Sequence, residues 1–168
     1  MKQEEFENKV FVLKDRLFRF ARKILKDSME AEDVVQEIMT GFWHRRFELP
    51  NLQNIEAYAM QSVKNLSLDK IKHHKVRQDR AGDLLNQTET VYHDDSGEKK
   101  EITDLIKKTI ALLPEKQRMV IHLRDIEDYS FEEMSKVLDM DETALRVNLS
   151  RARKKVKEEI QKILNYGI

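Results

Sequence analysis

A helical repeat near the end of the chain constrains its fold more than any other sequence feature. Apolar residues recur there at steps of three or four, the spacing of one face of an α-helix: Leu145, Leu149, Ala152, Val156, Ile160 and Ile163. At about 100° per residue, the opposite face carries small, polar and basic residues: Thr143, Arg146, Val147, Ser150, Lys154 and Lys157, with Arg151 on its shoulder. No acidic residue occurs from 145 to 157. The pattern predicts a long amphipathic helix with a basic outer face.

A shorter amphipathic helix is predicted just before this long one. Its apolar positions are Phe131, Met134, Val137 and Leu138. Residues 139–141 leave room for a tight turn, in which Asp141 can cap the longer helix. A short helix, a tight turn and a longer helix form a helix-turn-helix, whose second helix enters the major groove of DNA. We therefore predict that this element binds DNA, although a basic helix face by itself is usually only solvated surface.

The composition favours an all-α protein. Charged residues make up 37% of the chain, glycine and proline number only four and two, and β-rich runs are missing. Its 168 residues suffice for one ordinary domain or two small ones. The chain has no cysteine, so we expect no disulfide and no thiolate metal site. A charged N-terminus and the lack of an apolar run near ~20 residues predict a cytoplasmic protein without membrane insertion.

A net charge of zero conceals blocks of opposite sign. Residues 64–80 hold six lysines and arginines against two aspartates, whereas residues 125–142 hold eight acids against one lysine. Residues 27–37 hold five acids and no cation. Such blocks favour separate partner surfaces, and the basic ones suit phosphate. Salt bridges between helices explain the same pattern, so segregation alone does not decide between the two readings.

The first half of the chain has the pattern of a helical bundle. A long helix is predicted from about residue 4 to residue 26, and a second one follows with Ser28 as its cap and an acidic first turn that suits the helix dipole. Trp43 falls at an amphipathic position of this second helix and is more typical of a core residue than of a base-stacking platform. Residues 47–54, with a proline and two asparagines, predict a loop. A third helix, basic towards its end, is predicted over 55–76.

The second half begins after a stretch without helical period. Residues 80–97 are polar and acidic, which is typical of a linker. One helix follows up to Leu113, and Pro114 suits the first turn of the next, which carries Met119, Val120, Leu123 and Ile126. We predict an all-α protein of two small helical domains, 1–79 and 99–168, joined by a flexible linker at 80–98, the second domain being the helix-turn-helix.

Four segments carry a family resemblance. They are MEAEDVVQEIMTGFW at 29–43, YAMQSVKNLSLDKIKHHK at 58–75, LPEKQRMVIHLRDIEDYSFEEMSKVLDM at 113–140 and VNLSRARKKV at 147–156. In order, spacing and content they resemble the extracytoplasmic-function sigma factors of bacterial RNA polymerase, over nearly the whole chain. Four residues of this chain depart from the pattern of that family: Tyr58, Ala59, Lys72 and Ala144. They bear on the details of the promoter sequence rather than on membership.

The resemblance implies a transcription initiation factor that binds core RNA polymerase, recognises two promoter elements and helps to separate the DNA strands. Residues expected to dock on the polymerase β′ coiled coil are Glu32, Asp33, Gln36 and Glu37. Residues expected at the −10 element, where the 47–55 loop would hold a flipped base, are Asn51, Gln53, Asn54, Lys64, Asn65, Lys70, Lys72, His73 and Lys75. Residues expected at the −35 element are Thr143, Arg146, Val147, Ser150, Arg151, Lys154 and Lys157. An anti-sigma factor is a further partner that the resemblance leaves open.

Other protein classes fit parts of the sequence. A helix-turn-helix repressor or activator would need a ligand pocket or a dimer interface in its first half. A helical adaptor would leave the acid-free stretch unexplained. An enzyme, a cofactor and a small-molecule substrate have little support, because the chain lacks a phosphate-cradling glycine loop and a nucleophile constellation. The pair His73 and His74 lacks a spaced third ligand, so we expect no metal site.

The linker prediction can be tested by limited proteolysis of the free protein. Cleavage should occur first within 83–97 and leave two resistant fragments, because polar segments between packed domains are preferred sites of nicking. Mass spectrometry of the fragments locates the cut. A segment that resists cleavage in the free protein would mean that the two domains are clamped together.

Overall fold

Eight α-helices make up the computed structural model over the residues that it describes, which are 1–49, 54–81 and 97–166. They are α1 (Gln3–Lys9), α2 (Lys14–Leu25), α3 (Ser28–His44), α4 (Ile55–Ala81), α5 (Gly97–Leu112), α6 (Glu115–Ile121), α7 (Phe131–Leu138) and α8 (Glu142–Tyr166). A 3₁₀ turn (Phe11–Leu13) precedes α2, and a π-helical segment (His122–Ile126) follows α6. The all-α prediction is confirmed.

The described helices form two compact units, as predicted. The first contains α1 to α4, and the second contains α5, α6, most of α7, and α8. The domain limits at 79 and 99 stay predictions, and the greater part of the predicted linker lies outside the described residues.

The first unit is built around α2, which packs against both α3 and α4. Its buried face presents Leu17, Phe20, Ala21 and Ile24, which are spaced as on one side of an amphipathic helix. The prediction of one unbroken helix over 4–26 was wrong, because the chain passes through the 3₁₀ turn between α1 and α2. The break falls in Val10-Phe11-Val12-Leu13, where β-branched and aromatic side chains lose rotamer freedom in a helix.

The start of α3 is fixed by a side-chain cap. Asp27 accepts a hydrogen bond from the Glu30 backbone N–H at 3.0 Å, and Lys26 before it adopts the left-handed conformation with φ of 59°. The predicted cap, Ser28, is instead the first residue of the helix. The reason is that the carboxylate of Asp27 already lies three residues before an unsatisfied N–H group.

The second unit contains the predicted helix-turn-helix, formed by α7 and α8. Ser130 caps α7 by accepting from the Glu133 N–H at 3.1 Å, and Asp141 caps α8 by accepting from the Ala144 N–H at 2.7 Å. Between the two helices, Asp139 is left-handed with φ of 54°. The N-terminus of each of the two helices is therefore capped by a polar side chain, and the cap of α8 at Asp141 is the predicted one.

The π-helical segment His122–Ile126 was not predicted. It shifts the helical register at the end of α6, so Ile126, which we expected on the apolar face, is 48% exposed. Arg124 closes the following turn by donating from Nη1 to the Tyr129 carbonyl at 2.7 Å. The wider helical turn of the π segment thus directs Ile126, an expected core residue, towards solvent.

The packing of α8 can be tested by a pair of substitutions on the same helix. Leu145 is fully buried, whereas Leu164 is 60% exposed. Leu145→Ala should lower the free energy of unfolding of the second unit by about 2–5 kcal/mol, because it removes buried methyl groups and leaves a cavity. Leu164→Ala, the matched control, should change it by no more than about 0.5 kcal/mol. Urea denaturation of the two variants measures both, and equal effects would contradict the described packing.

Candidate nucleic-acid interface

The outer face of α8 is the candidate surface of the second unit. Packing of Leu145, Leu149 and Ala152 into the core turns the opposite side of the helix towards solvent. All seven residues predicted for this face are exposed: Thr143, Arg146, Val147, Ser150, Arg151, Lys154 and Lys157. The structure therefore brings the predicted −35 contacts together on one face.

Arg146 is held in place near the start of this face. Its Nε and Nη2 atoms both donate to Oε1 of Glu142, at 3.0 and 2.6 Å. Its guanidinium also lies over the ring of Phe131, 4.3 Å from the centroid. An exposed arginine usually samples many rotamers, so two such contacts restrict the directions in which this one points.

Two further arginines, not among the predicted residues, border the same region. Arg124 lies over Phe131 at 4.7 Å, and Arg153 donates to both carboxylate oxygens of Asp125 at 2.9 and 2.5 Å. These hydrogen bonds raise the pKa of the Arg153 guanidinium. A hollow of about 410 Å³ is lined by Arg124, Phe131, Arg146, Leu149, Ser150 and Arg153. Its place on the same helix was the sequence signal that could have identified Arg153. Its pairing with Asp125 gave no such signal, because Asp125 is 28 residues away in the chain.

In the first unit, α4 carries the residues predicted for the −10 element. Asn65, Lys72, His73 and Lys75 are exposed, and Lys70 is half-buried. Lys64, by contrast, is buried at 8% exposure, which makes it a poor candidate for a phosphate contact. The simple count of basic residues did not distinguish it from the others, because burial depends on which side of α4 faces α2 and α3.

The loop before α4 is only partly described. Asn54 is exposed and caps α4 by accepting from the Ala57 N–H at 2.9 Å. Asn51 and Gln53, the other two predicted loop residues, lie outside the described residues. Of the three predicted loop amides, that of Asn54 thus has a structural role as the cap of α4.

A cluster of aromatic and arginine side chains at the end of α3 was not predicted from the sequence. The guanidinium of Arg46 lies 4.2 Å from the ring centroid of Trp43 and 4.5 Å from that of Phe47. Trp43 also meets Phe6 edge to face at 5.1 Å, so it is half-buried, in line with the expected core role. Phe47 is 68% exposed, and Arg45 donates to the Tyr58 hydroxyl at 3.3 Å. The signal for this cluster was the run of arginines next to aromatic residues at 42–47.

The predicted polymerase-binding residues lie on one exposed region of α3. Glu32, Asp33, Gln36 and Glu37 are all exposed, while Ala31, Val34 and Val35 are buried beneath them. Glu30 differs, because it pairs with His74 of α4. The structure therefore separates a carboxylate that joins two helices from three that face solvent.

Neither a cluster of metal ligands nor a membrane-spanning helix is present in the part of the chain that the structure describes. Within it, no group of three or more histidine, cysteine, aspartate or glutamate side chains could hold a metal ion. None of its described helices is long and apolar enough to cross a membrane.

Two family models match this chain. The model described as Sigma-70 region 2 matches residues 12–77, which include α2, α3 and most of α4. The model described as Sigma-70, region 4 matches residues 103–156, which include the helix-turn-helix. The two matches fall in the two structural units, in the order expected from the sequence.

Known proteins are similar to the chain over nearly its full length. It is 27% identical to the RNA polymerase sigma-E factor of Streptomyces avermitilis over 157 residues, covering 94% of this chain and 86% of the relative. It is 22% identical to the ECF RNA polymerase sigma factor SigW of Bacillus subtilis, covering 95% and 90%. The fold matches that of the sigma factor RpoE, solved in complex with the anti-sigma factor NepR from Bartonella quintana. That match has a TM-score of 0.79 at 16% identity and covers 94% of this chain and 98% of the other.

Proposed function

The chain belongs to the sigma-70 family of RNA polymerase sigma factors, in its extracytoplasmic-function branch, and from this membership we propose how its surfaces divide the work of initiation. It binds core RNA polymerase, recognises the −10 and −35 promoter elements and supports promoter opening. The observation that carries the assignment of surfaces is the acid-free outer face of α8, which is exposed and lies within the region 4 match.

The −35 element is the target that we propose for α8. Arg146 and Val147 lie near its N-terminal end, which in a helix-turn-helix meets the base edges. Arginine is suited to a bidentate contact with guanine, and valine to a thymine methyl group. Lys154 and Lys157 lie further along the helix, where contacts to phosphates add affinity without base preference.

The −10 strand is the target that we propose for the basic part of α4. Asn65, Lys72, His73 and Lys75 are exposed there, and Lys70 is accessible in part. Single strands bind along such surfaces through cations on phosphates and through polar or aromatic contacts with bases. Lys64 does not belong to this set because it is buried.

The exposed face of α3 is our proposed contact with core RNA polymerase. Its carboxylates, Glu32, Asp33 and Glu37, are free to meet arginines on the partner, and Gln36 adds a polar contact between them. The same membership favours a cytoplasmic initiation factor that catalyses no reaction itself. An anti-sigma factor is a further partner, by analogy with the complex of RpoE and NepR.

Substitutions at the proposed base contact and at the proposed phosphate contacts of α8 should have different effects on DNA binding. Arg146→Ala should weaken binding to the cognate −35 element by about 1–3 kcal/mol and relax the preference at one base pair. Lys154→Ala should weaken binding to all sequences alike and reduce the salt dependence by about one phosphate contact. Binding of the full chain to a −35 duplex library at several salt concentrations measures both. A uniform loss in Arg146→Ala, with base preference intact, would disprove the base contact.

The polymerase contact can be tested by charge reversal on α3. Asp33→Lys together with Glu37→Lys should weaken capture of core RNA polymerase and lower promoter-dependent transcription with purified core enzyme, because like charges would then face each other. Glu4→Lys with Glu7→Lys, on the exposed side of α1, makes the same change of charge and is the control. Far-UV circular dichroism confirms that the helices persist. Full core binding by the α3 double variant would place the contact elsewhere.

A further inference from the structure

Glu142 and Arg146 form an ion pair at the start of α8 that engages one edge of the guanidinium and leaves another edge free. A single oxygen, Oε1 of Glu142, accepts from both Nε and Nη2 of the guanidinium. This engages the side edge of the guanidinium, the edge formed by Nε and Nη2. Among the described residues, Nη1 of Arg146 has no hydrogen-bond acceptor, so the end formed by Nη1 and Nη2 stays available.

Phe131 supplies a second restraint on the same group. Its ring lies 4.3 Å from the Arg146 guanidinium and belongs to α7, the neighbouring helix of the helix-turn-helix. One contact thus comes from the preceding turn of α8 and the other from a separate helix. Together they restrain both the position of the guanidinium and the edge that it presents, although the side chains of Arg146 and Glu142 are 61% and 60% exposed.

The free edge determines which contact with a base is possible. An arginine binds guanine O6 and N7 through two N–H groups, either from its side edge or from its end. With the side edge engaged by Glu142, only the end remains. We propose that Glu142 is a positioning residue that presents Arg146 end-on to guanine and thereby determines base selectivity at the −35 element, an inference that rests on the proposed function of α8.

The negative charge of Glu142 adds a second effect on selectivity. The carboxylate lies at the start of α8, one turn before Arg146 and beside the face that we propose to meet DNA, where phosphates repel it. A cognate guanine compensates by accepting from Arg146, whereas another base leaves the repulsion uncompensated. Discrimination between partners commonly combines an attractive contact with a repulsive one of this kind.

The alternative is that the pair only stabilises the helix. Exposed glutamate–arginine pairs four residues apart contribute little to stability, and Glu142 also suits the positive end of the α8 dipole. A purely stabilising role predicts a small change in thermal melting and none in base preference. Base preference is therefore the measurement that separates the two roles.

The experiment selects DNA from a duplex library with a randomised central segment, using the full chain and its Glu142→Ala and Glu142→Gln variants. Glu158→Ala and Glu158→Gln are matched controls, because Glu158 is an exposed glutamate on the same helix, about 24 Å further along at ~1.5 Å per residue. Sequencing the bound fraction gives the preference at each base pair, and binding to a non-selected duplex gives the affinity without selectivity.

Glu142→Ala should reduce the preference for guanine at one base pair by about fivefold or more, and it should tighten binding to the non-selected duplex. Glu142→Gln should keep part of the preference, because its amide oxygen still accepts from Arg146, while it also tightens binding to non-selected DNA. The Glu158 variants should leave the guanine preference unchanged.

Two different failures can be told apart. If the unchanged chain selects a sequence and Glu142→Ala selects it equally well, Glu142 does not position Arg146, and the proposed function stands. If the unchanged chain binds every sequence alike, the proposed function of α8 falls, and this inference falls with it.

Discussion

Burial of one stripe of α8 is the constraint on which the second unit depends. Leu145, Leu149 and Ala152 are almost fully removed from water, and α8 packs through them against α5 and α6. Burial at about 25 cal/mol per Å² of apolar surface makes any rotation of this helix costly. The same burial decides which residues face solvent. The side of α8 that packs into the core thus fixes which residues the helix presents on the face that we propose to bind DNA.

Charge pairing is the second constraint, and it explains how a chain of zero net charge can bind a polyanion. Acidic residues are placed against particular arginines, as in the pairs of Asp125 with Arg153 and of Arg16 with Glu56. Among the described residues, Lys154 and Lys157 of α8 form no ion pair and remain available to phosphate. Which acidic residue pairs with which basic residue therefore matters more for DNA binding than the net charge of the chain.

Periodicity and caps predicted much of the fold, whereas side-chain packing between distant segments was beyond the sequence. The apolar stripe of α8, the cap at Asp141 and the exposed acids of α3 were predicted because each depends on residues a few positions apart. The burial of Lys64 and the pairing of Arg153 with Asp125, 28 residues away, depend on how whole helices meet. A count of charges along the chain contains no such information.

The left-handed turn at Asp139 has a consequence for how the helix-turn-helix responds to damage. A non-glycine residue in this conformation is less stable than one in the right-handed helical region, by roughly 1 kcal/mol, and it persists only where the surrounding packing requires it. Loss of the contacts beneath α8 would remove that requirement, and the turn could relax towards a continuous helix. The packing of α8 and the left-handed turn therefore support one another.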